Sequence, residues 1–317
     1  MNVVAAYILD LIIGDPQGYP HPVRLIGKLI SFIERNLRKI AKTSKQERVA
    51  GYFLCTIVVF TSYISGYFII YMLKEVNMYL GKISEVLLIY TCLATNDLAK
   101  SANKVYEPLK RNDLVEARKM LSFIVSRDTE NLDLGDIIRG TVETVAENIS
   151  DGIIAPLFYA FIGGVPLALA YKASSTLDSM VGYRNEKYED IGYASAKLDD
   201  VLNFIPSRIT GLLIVASSFL LGYDYKNSFY ILKRDRLKHE SPNSAHGEAA
   251  IAGALGVKLG GLNYYFGKPE LKPELGDGKE DLKLNHIKDS IKIMYVTSFL
   301  GLILFFALKL IILNGGI

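Results

Sequence analysis

The residues from Thr141 to Asp151 set three carboxylates four positions apart, at Glu143, Glu147 and Asp151. In a helix that spacing puts them on one face, where like charges repel by roughly a few tenths of a kcal/mol per pair. A bound cation reverses that sign. Oxygen donors with room for water and phosphate suit Mg²⁺ better than zinc. A solvated acidic face is the plain alternative. The stripe, however, runs directly into an uncharged stretch at Gly152, and charges at a membrane boundary are costly and usually functional. A second cluster, Gly14-Asp15-Pro16 with Pro20-His21-Pro22-Val23-Arg24, puts a carboxylate, an imidazole and a guanidinium within a few residues. It reads either as a rigid entry turn held by its prolines or as an anion site in which Arg24 grips phosphate or carboxylate.

Between Lys172 and Asp200 the chain carries Asp178, Arg184, Asn185, Asp199 and Asp200 among further mixed charges. These form either an ion-pair network or a set of ligand-binding groups. Ser241-Pro242-Asn243-Ser244 is expected to open a helix, with Ser241 as N-cap and Pro242 in the first turn. Ala245, Gly247, Ala249, Ala250, Ala252, Gly253 and Ala254 follow, and so many small residues allow close backbone approach. Packing explains them, but not Asn243, His246 and Glu248 set among them. Several familiar cradles are absent: no Gly-x4-Gly-Lys-Ser/Thr loop, no Gly-x-Gly-x-x-Gly, no His-Glu-x-x-His and no Gly-x-Ser-x-Gly.

The elements that position these groups are membrane helices. Half of the 317 residues are hydrophobic and 22% are charged, which excludes a disordered chain. A net charge of +3 gives no sign of a nucleic-acid partner. Two cysteines, Cys55 and Cys92, exclude a disulfide scaffold or a Cys-rich metal site, and both are expected to be buried. Val49 to Leu73 is uncharged, and as a helix it reaches roughly 37 Å, more than the ~30 Å hydrocarbon core. Further apolar runs cover Gly152–Tyr171, Val201–Tyr223 and Ile293–Leu308, with a shorter one at Val86–Asn96. The expectation is an all-α, multi-pass membrane protein with four to five spanning or re-entrant helices.

Read as one membrane-embedded helical domain, the chain divides into six stretches. Residues 1–48 form an N-terminal helix and a basic loop, 49–96 two spans and 97–151 a cytoplasmic helical segment. Residues 152–223 hold a broken span, a polar segment and a span; 224–290 are cytoplasmic, and 291–317 carry the last span. The cluster Arg35, Arg38, Lys39, Lys42, Lys45 and Arg48 beside the longest span places that loop in the cytoplasm. Gly163-Gly164-Val165-Pro166 is expected to break its span into two halves. Lys268 to Asp281 reads as an exposed loop.

Taken in order, these motifs resemble the CobD/CbiB family, the membrane-bound adenosylcobinamide-phosphate synthases. The resemblance also rests on Arg127-Asp128-Thr129-Glu130, Val142 through Asn148, Tyr171-Lys172-Ala173, Thr176 through Asn185, Leu259-Gly260-Gly261 and Asn263 through Gly267. It covers nearly the whole chain. One departure is visible: the family pattern leads to an aromatic residue and Pro before the Glu, where this chain has His246-Gly247-Glu248.

The resemblance implies an ATP- and Mg²⁺-dependent ligase. It would join 1-amino-2-propanol or its phosphate to a carboxylate of adenosylcobyric acid, at the cell membrane with a cytoplasmic-facing site. Other membrane enzymes of late cobalamin assembly are implied as possible partners. On that reading His21, Asp178 and Glu147 are the candidate catalytic groups, and Glu143, Glu147 and Asp151 the metal ligands. Asp15, Arg24, Arg127, Asp128, Asn148, Lys172, Arg184, Asn185, Asp199, Asp200, Asn243, Ser244 and Glu248 are the candidate binding residues. A transporter and a non-catalytic corrinoid-binding scaffold are the alternatives from other classes.

Overall fold

In a computed structural model the structure describes residues 1–15, 21–183 and 185–314. The first four helices are α1 (Asn2–Ile13), α2 (Pro22–Ile40), α3 (Ser44–Val76) and α4 (Met78–Tyr90). Then come α5 (Thr95–Lys110), α6 (Leu114–Ser122) and α7 (Leu134–Ile149), followed by one π-helical turn, Ser150–Ile154. The chain continues through α8 (Ala155–Val181), α9 (Tyr193–Leu202), α10 (Phe204–Leu221), α11 (Tyr225–Asp235) and α12 (Ser244–Leu255). A hairpin of β1 (Leu259–Tyr265) and β2 (Lys268–Leu275) precedes α13 (Asn285–Asn314).

The all-α expectation holds, apart from that hairpin. Among the described residues, five helices are long and apolar enough to cross a membrane: Ser44–Val76, Met78–Lys110, Leu134–Val181, Phe204–Leu221 and Asn285–Ile312. Their exposed Phe, Ile, Leu and Tyr side chains, such as Phe53, Phe60, Phe68 and Phe299, suit contact with lipid tails, which are as apolar as they are. Asn77 separates two of these spans. Its carboxamide accepts from the backbone N–H groups of Tyr79 and Leu80 and caps α4. The expected break is present, because Gly163 (φ −133°) and Gly164 (φ 63°) are non-helical inside α8.

The described chain groups into two compact units. The first comprises residues 1–94, 155–203 and 305–317. Its α2, α3, α8 and α9 pack Ile26, Ile30, Leu54, Val58, Leu177 and Ile191 into a common core. Cys55 is buried there as a free thiol, and Cys92 is buried in the same unit. The second unit comprises 95–154 and 204–304, and its core includes Ile137, Val142, Val145, Ile214 and Ile251.

Two expectations are corrected. The stretch from Lys268 is not simply a loop, since Lys268–Leu275 pairs antiparallel with β1. Phe266 (φ 53°) and Gly267 (φ 75°) make the turn, the doubly left-handed form that matches strand twist. In a two-stranded sheet both strands are edges, so Pro269 and Pro273 are tolerated. The helix after the Ser-Pro-Asn-Ser motif starts at Ser244 with Asn243 as N-cap. Ser241 instead accepts from the Asn243 N–H at 3.3 Å, so Pro242 lies in the turn before the helix.

Candidate functional site

The site is built on α7 in the second unit. Asp133 caps this helix by accepting from Asp136 N at 2.8 Å, and Ile138, Val142, Val145 and Ile149 bury one side of it. Glu143 is 8% exposed. One of its carboxylate oxygens accepts from the Gly260 N–H at 2.7 Å; the other pairs with the Arg127 guanidinium. Arg127 is itself buried and also donates to Asn263 of β1. Burial opposes its charge, but Glu143 outweighs that and raises its pKa. Asp128 then fixes the hairpin. Its carboxylate accepts from Phe266 N at 3.1 Å and Gly267 N at 2.7 Å, and its own N–H donates to Tyr264 O at 2.8 Å.

Helix α12 completes the site through its small residues. A Cβ on Gly247 would overlap the Ala146 carbonyl oxygen of α7, so only glycine allows this approach. Ser244 donates to Glu147 at 3.2 Å. The next acid, Glu248, is 8% exposed, and its pKa is pushed well above the ordinary carboxylate range by burial, then by Glu147 and Glu143 nearby.

Lys272 of β2 and His239 face the same cavity, which has a volume of about 130 Å³. Burial opposes the charge on Lys272, yet a hydrogen bond to Tyr265 and the field of Glu147 and Glu248 raise its pKa. His239 is lowered by burial and then by Lys272. Its Nδ1 accepts from Ser241 N at 3.1 Å, so the neutral ring carries its proton on Nε2. One small polar cavity thus holds the Arg127–Glu143 pair, a lysine, a neutral imidazole and two further carboxyl groups.

Of the residues singled out in the sequence, Arg127, Glu143, Glu147, Asn148 and Glu248 line this cavity. Asp128 and Ser244 support it from behind. Asn243 turns elsewhere, accepting from Ser207 at 3.2 Å and Arg208 at 3.1 Å. The acidic stripe does not assemble as expected. Among the described residues no group of three His, Cys, Asp or Glu side chains is arranged to hold a metal ion. Glu143 is committed to Arg127 and Gly260, and Asp151 lies in the π turn, where wider winding ends the four-residue register of α7.

The remaining candidates belong to the first unit. His21 caps α2, its Nδ1 accepting from Val23 N at 3.3 Å, and its Nε2 lies 3.7 Å from Asp15. Arg24 is exposed, and Lys172 and Asp178 are half-buried in α8. Asn185 caps a turn by accepting from Tyr188 N at 3.1 Å. Asp199 accepts from Asn203 at 2.9 Å, and Asp200 pairs with Lys197 at 3.3 Å. Arg184 lies outside the described residues.

Sequence reading missed Lys272, His239, Gly260 and Tyr265 as site groups. Lys272 was hidden in a Lys-Pro-Glu-Leu-Lys-Pro-Glu stretch that looks like solvated loop. The available signal was the turn pair Phe266-Gly267 between Asn263-Tyr264-Tyr265 and that stretch, which marks a hairpin.

The family model described as CobD/Cbib protein matches residues 3–294. A cobalamin biosynthesis protein CobD of Clostridium perfringens is 51% identical over 312 residues, 98% of each chain. CobD of Citrobacter koseri is 45% identical over the full length of both chains, and CbiB of Salmonella typhimurium is 46% identical over 96% of this chain and 95% of its own. No solved structure matches. With matches of this extent, the chain belongs to the CobD/CbiB family of cobalamin biosynthesis proteins.

Proposed function

We propose that this chain forms an amide bond, joining the amine of 1-amino-2-propanol phosphate to a side-chain carboxylate of adenosylcobyric acid. One observation carries the reading: the buried Glu248, held beside Glu147 and opposite Lys272 in a small polar cavity. A cavity of about 130 Å³ suits a short amino-alcohol phosphate, not a nucleotide or a corrin ring. Its charges also suit that zwitterion. The ammonium faces Glu147 and Glu248, while the phosphate faces Lys272 and the Nε2–H of His239. An amine attacks a carbonyl only after losing a proton, and a carboxylate beside the ammonium is placed to receive it. Glu248 is the group that takes that proton, and Glu147 is the carboxylate that orients the ammonium.

ATP and Mg²⁺ enter the proposal as the drive for condensation: carboxylate, ammonium and ATP give amide, ADP and inorganic phosphate. The residues at this cavity do not fit either group. Glu143 is already paired, no three-acid cluster forms among the described residues, and the volume is too small for a nucleotide. The proposed setting is the cell membrane, with the cavity facing the cytoplasm.

The test uses purified protein with ATP, Mg²⁺, adenosylcobyric acid and either amine, with product read by mass. Lys272→Met is expected to raise KM for the phosphorylated amine by about 10- to 150-fold, the worth of one charge-assisted contact of roughly 1.5–3 kcal/mol, while sparing plain aminopropanol. Glu248→Gln is expected to lower kcat on both. Equal loss on both amines in the lysine variant refutes the phosphate assignment. Uptake of corrinoid into vesicles without product would instead support a transporter.

A further inference from the structure

The second unit holds another cavity, of about 410 Å³, which shares no lining residue with the one above. Its walls are Leu212 of α10, Leu232 of α11 and Leu237, and its polar groups are Arg208, Arg236 and His246. Two of the four basic residues between Lys233 and Lys238 are paired. Arg234 and Lys238 each pair with Asp235 at 2.7 Å, and Arg234 also reaches Asp277. Arg236, which lines the cavity, has an exposed side chain that forms no ion pair among the described residues.

Arg208 donates only to neutral acceptors: Phe204 O at 2.7 Å, Ser207 Oγ and Asn243 Oδ1 at 3.1 Å, and Pro242 O at 3.4 Å. Its guanidinium also lies 3.5 Å from the centre of the Phe204 ring. Two guanidinium groups therefore meet one cavity without a carboxylate. His246 adds the third observation. It is 3% exposed, and its Nδ1 makes no hydrogen bond of ordinary geometry. Burial, then the nearby Arg208, push the imidazole down to about 4, so it is uncharged at neutrality. Like charges without a counter-ion beside a buried, unsatisfied polar atom are unfavourable. An anion answers all three.

The walls decide which anion. Leu212 and Leu237 are 56% and 67% exposed, so the mouth is apolar. Leu212 belongs to Phe204–Leu221, one of the helices fit to cross a membrane, and Phe204 and Ile205 beside it are exposed as well. Arg208 sits near the end of that span, the depth at which a long basic side chain reaches headgroups. A soluble anion gains nothing from such a rim; an amphiphile does.

We propose that this cavity seats the phosphate of an anionic membrane phospholipid between Arg208 and Arg236, with its glycerol and first chain carbons on Leu212, Leu232 and Leu237. The proposal rests on α10 spanning the membrane and is independent of the amide-forming reaction. Its test is native mass spectrometry of the full chain released from bilayers of phosphatidylcholine doped with phosphatidylglycerol. Wild type is expected to retain phosphatidylglycerol in preference to phosphatidylcholine. Arg236→Gln is expected to lower that preference about 10-fold, the loss of one charge-assisted contact, with unchanged melting temperature in pure phosphatidylcholine. Equal retention of the two lipids, an unchanged preference in Arg236→Gln, or full displacement by millimolar inorganic phosphate overturns it. Product formation measured on the same preparations keeps the two readings apart, because lipid preference can be lost with catalysis intact and the reverse.

Discussion

Replacing Arg127 with Met keeps the apolar stem and removes the guanidinium, which isolates a test of the buried pair. Arg127 binds Glu143 and Asn263, and the three residues are 9%, 8% and 0% exposed. After the substitution Glu143 keeps only the Gly260 N–H and Arg139, whose Nε is 3.9 Å away. Removing one partner of a buried pair costs about 3–5 kcal/mol, because the other charge is left uncompensated. The residual Arg139 and the adjoining polar cavity place the expected loss at the low end, about 3 kcal/mol. Glu143→Gln in the same chain removes the stranded charge and is expected to bring the double variant to within about 1–2 kcal/mol of wild type.

The assay is denaturant unfolding in detergent micelles followed by circular dichroism, together with hydrogen exchange. Exchange protection should fall first over 259–275, since Arg127 and Asp128 tie that hairpin to the rest of the unit. A single variant within about 1 kcal/mol of wild type, or a double variant no more stable than the single, refutes the reasoning.

Glu248 gives a pH signature. Its folded pKa is raised by burial and by its acidic neighbours, so the folded state holds its proton more tightly than the unfolded chain, and stability falls as pH rises above the ordinary value of 4.5. Glu248→Gln cannot ionise, so its melting temperature should match wild type near pH 4 and exceed it increasingly toward pH 8; parallel curves would exclude a buried titrating carboxyl. Gly247→Ala places a methyl on the Ala146 carbonyl and should cost about 1–3 kcal/mol, read by unfolding; a neutral outcome would show that α7 and α12 are not in fixed contact. Single cysteines at Lys42, Lys110 and Lys238 are expected to resist impermeant thiol reagents in intact cells, against the buried background of Cys55 and Cys92. Labelling of any one overturns the cytoplasmic placement of its segment.

The sequence alone determined the class of fold, because long uncharged stretches have few ways to satisfy their backbone in lipid other than as helices. The broken helix at Gly163-Gly164 and the close approach at Gly247 were legible for the same kind of local reason: backbone geometry depends on the residues at the bend or contact. Family motifs also pointed to Arg127, Glu143, Glu147 and Glu248, although not to what holds them. Tertiary structure decided the rest. Whether Glu143 serves a cation or an arginine depends on where residues 127 and 260 return in space, which no helical spacing encodes. Asp151 drops out of the stripe because one π turn changes the register, while His21 and Asn185 resolve into backbone caps. Lys272 joins the site only because Asp128 pins a hairpin turn 138 residues away. Pairing over such distances is fixed by the packed fold, and a carboxyl group's proton affinity follows from the neighbours that packing supplies.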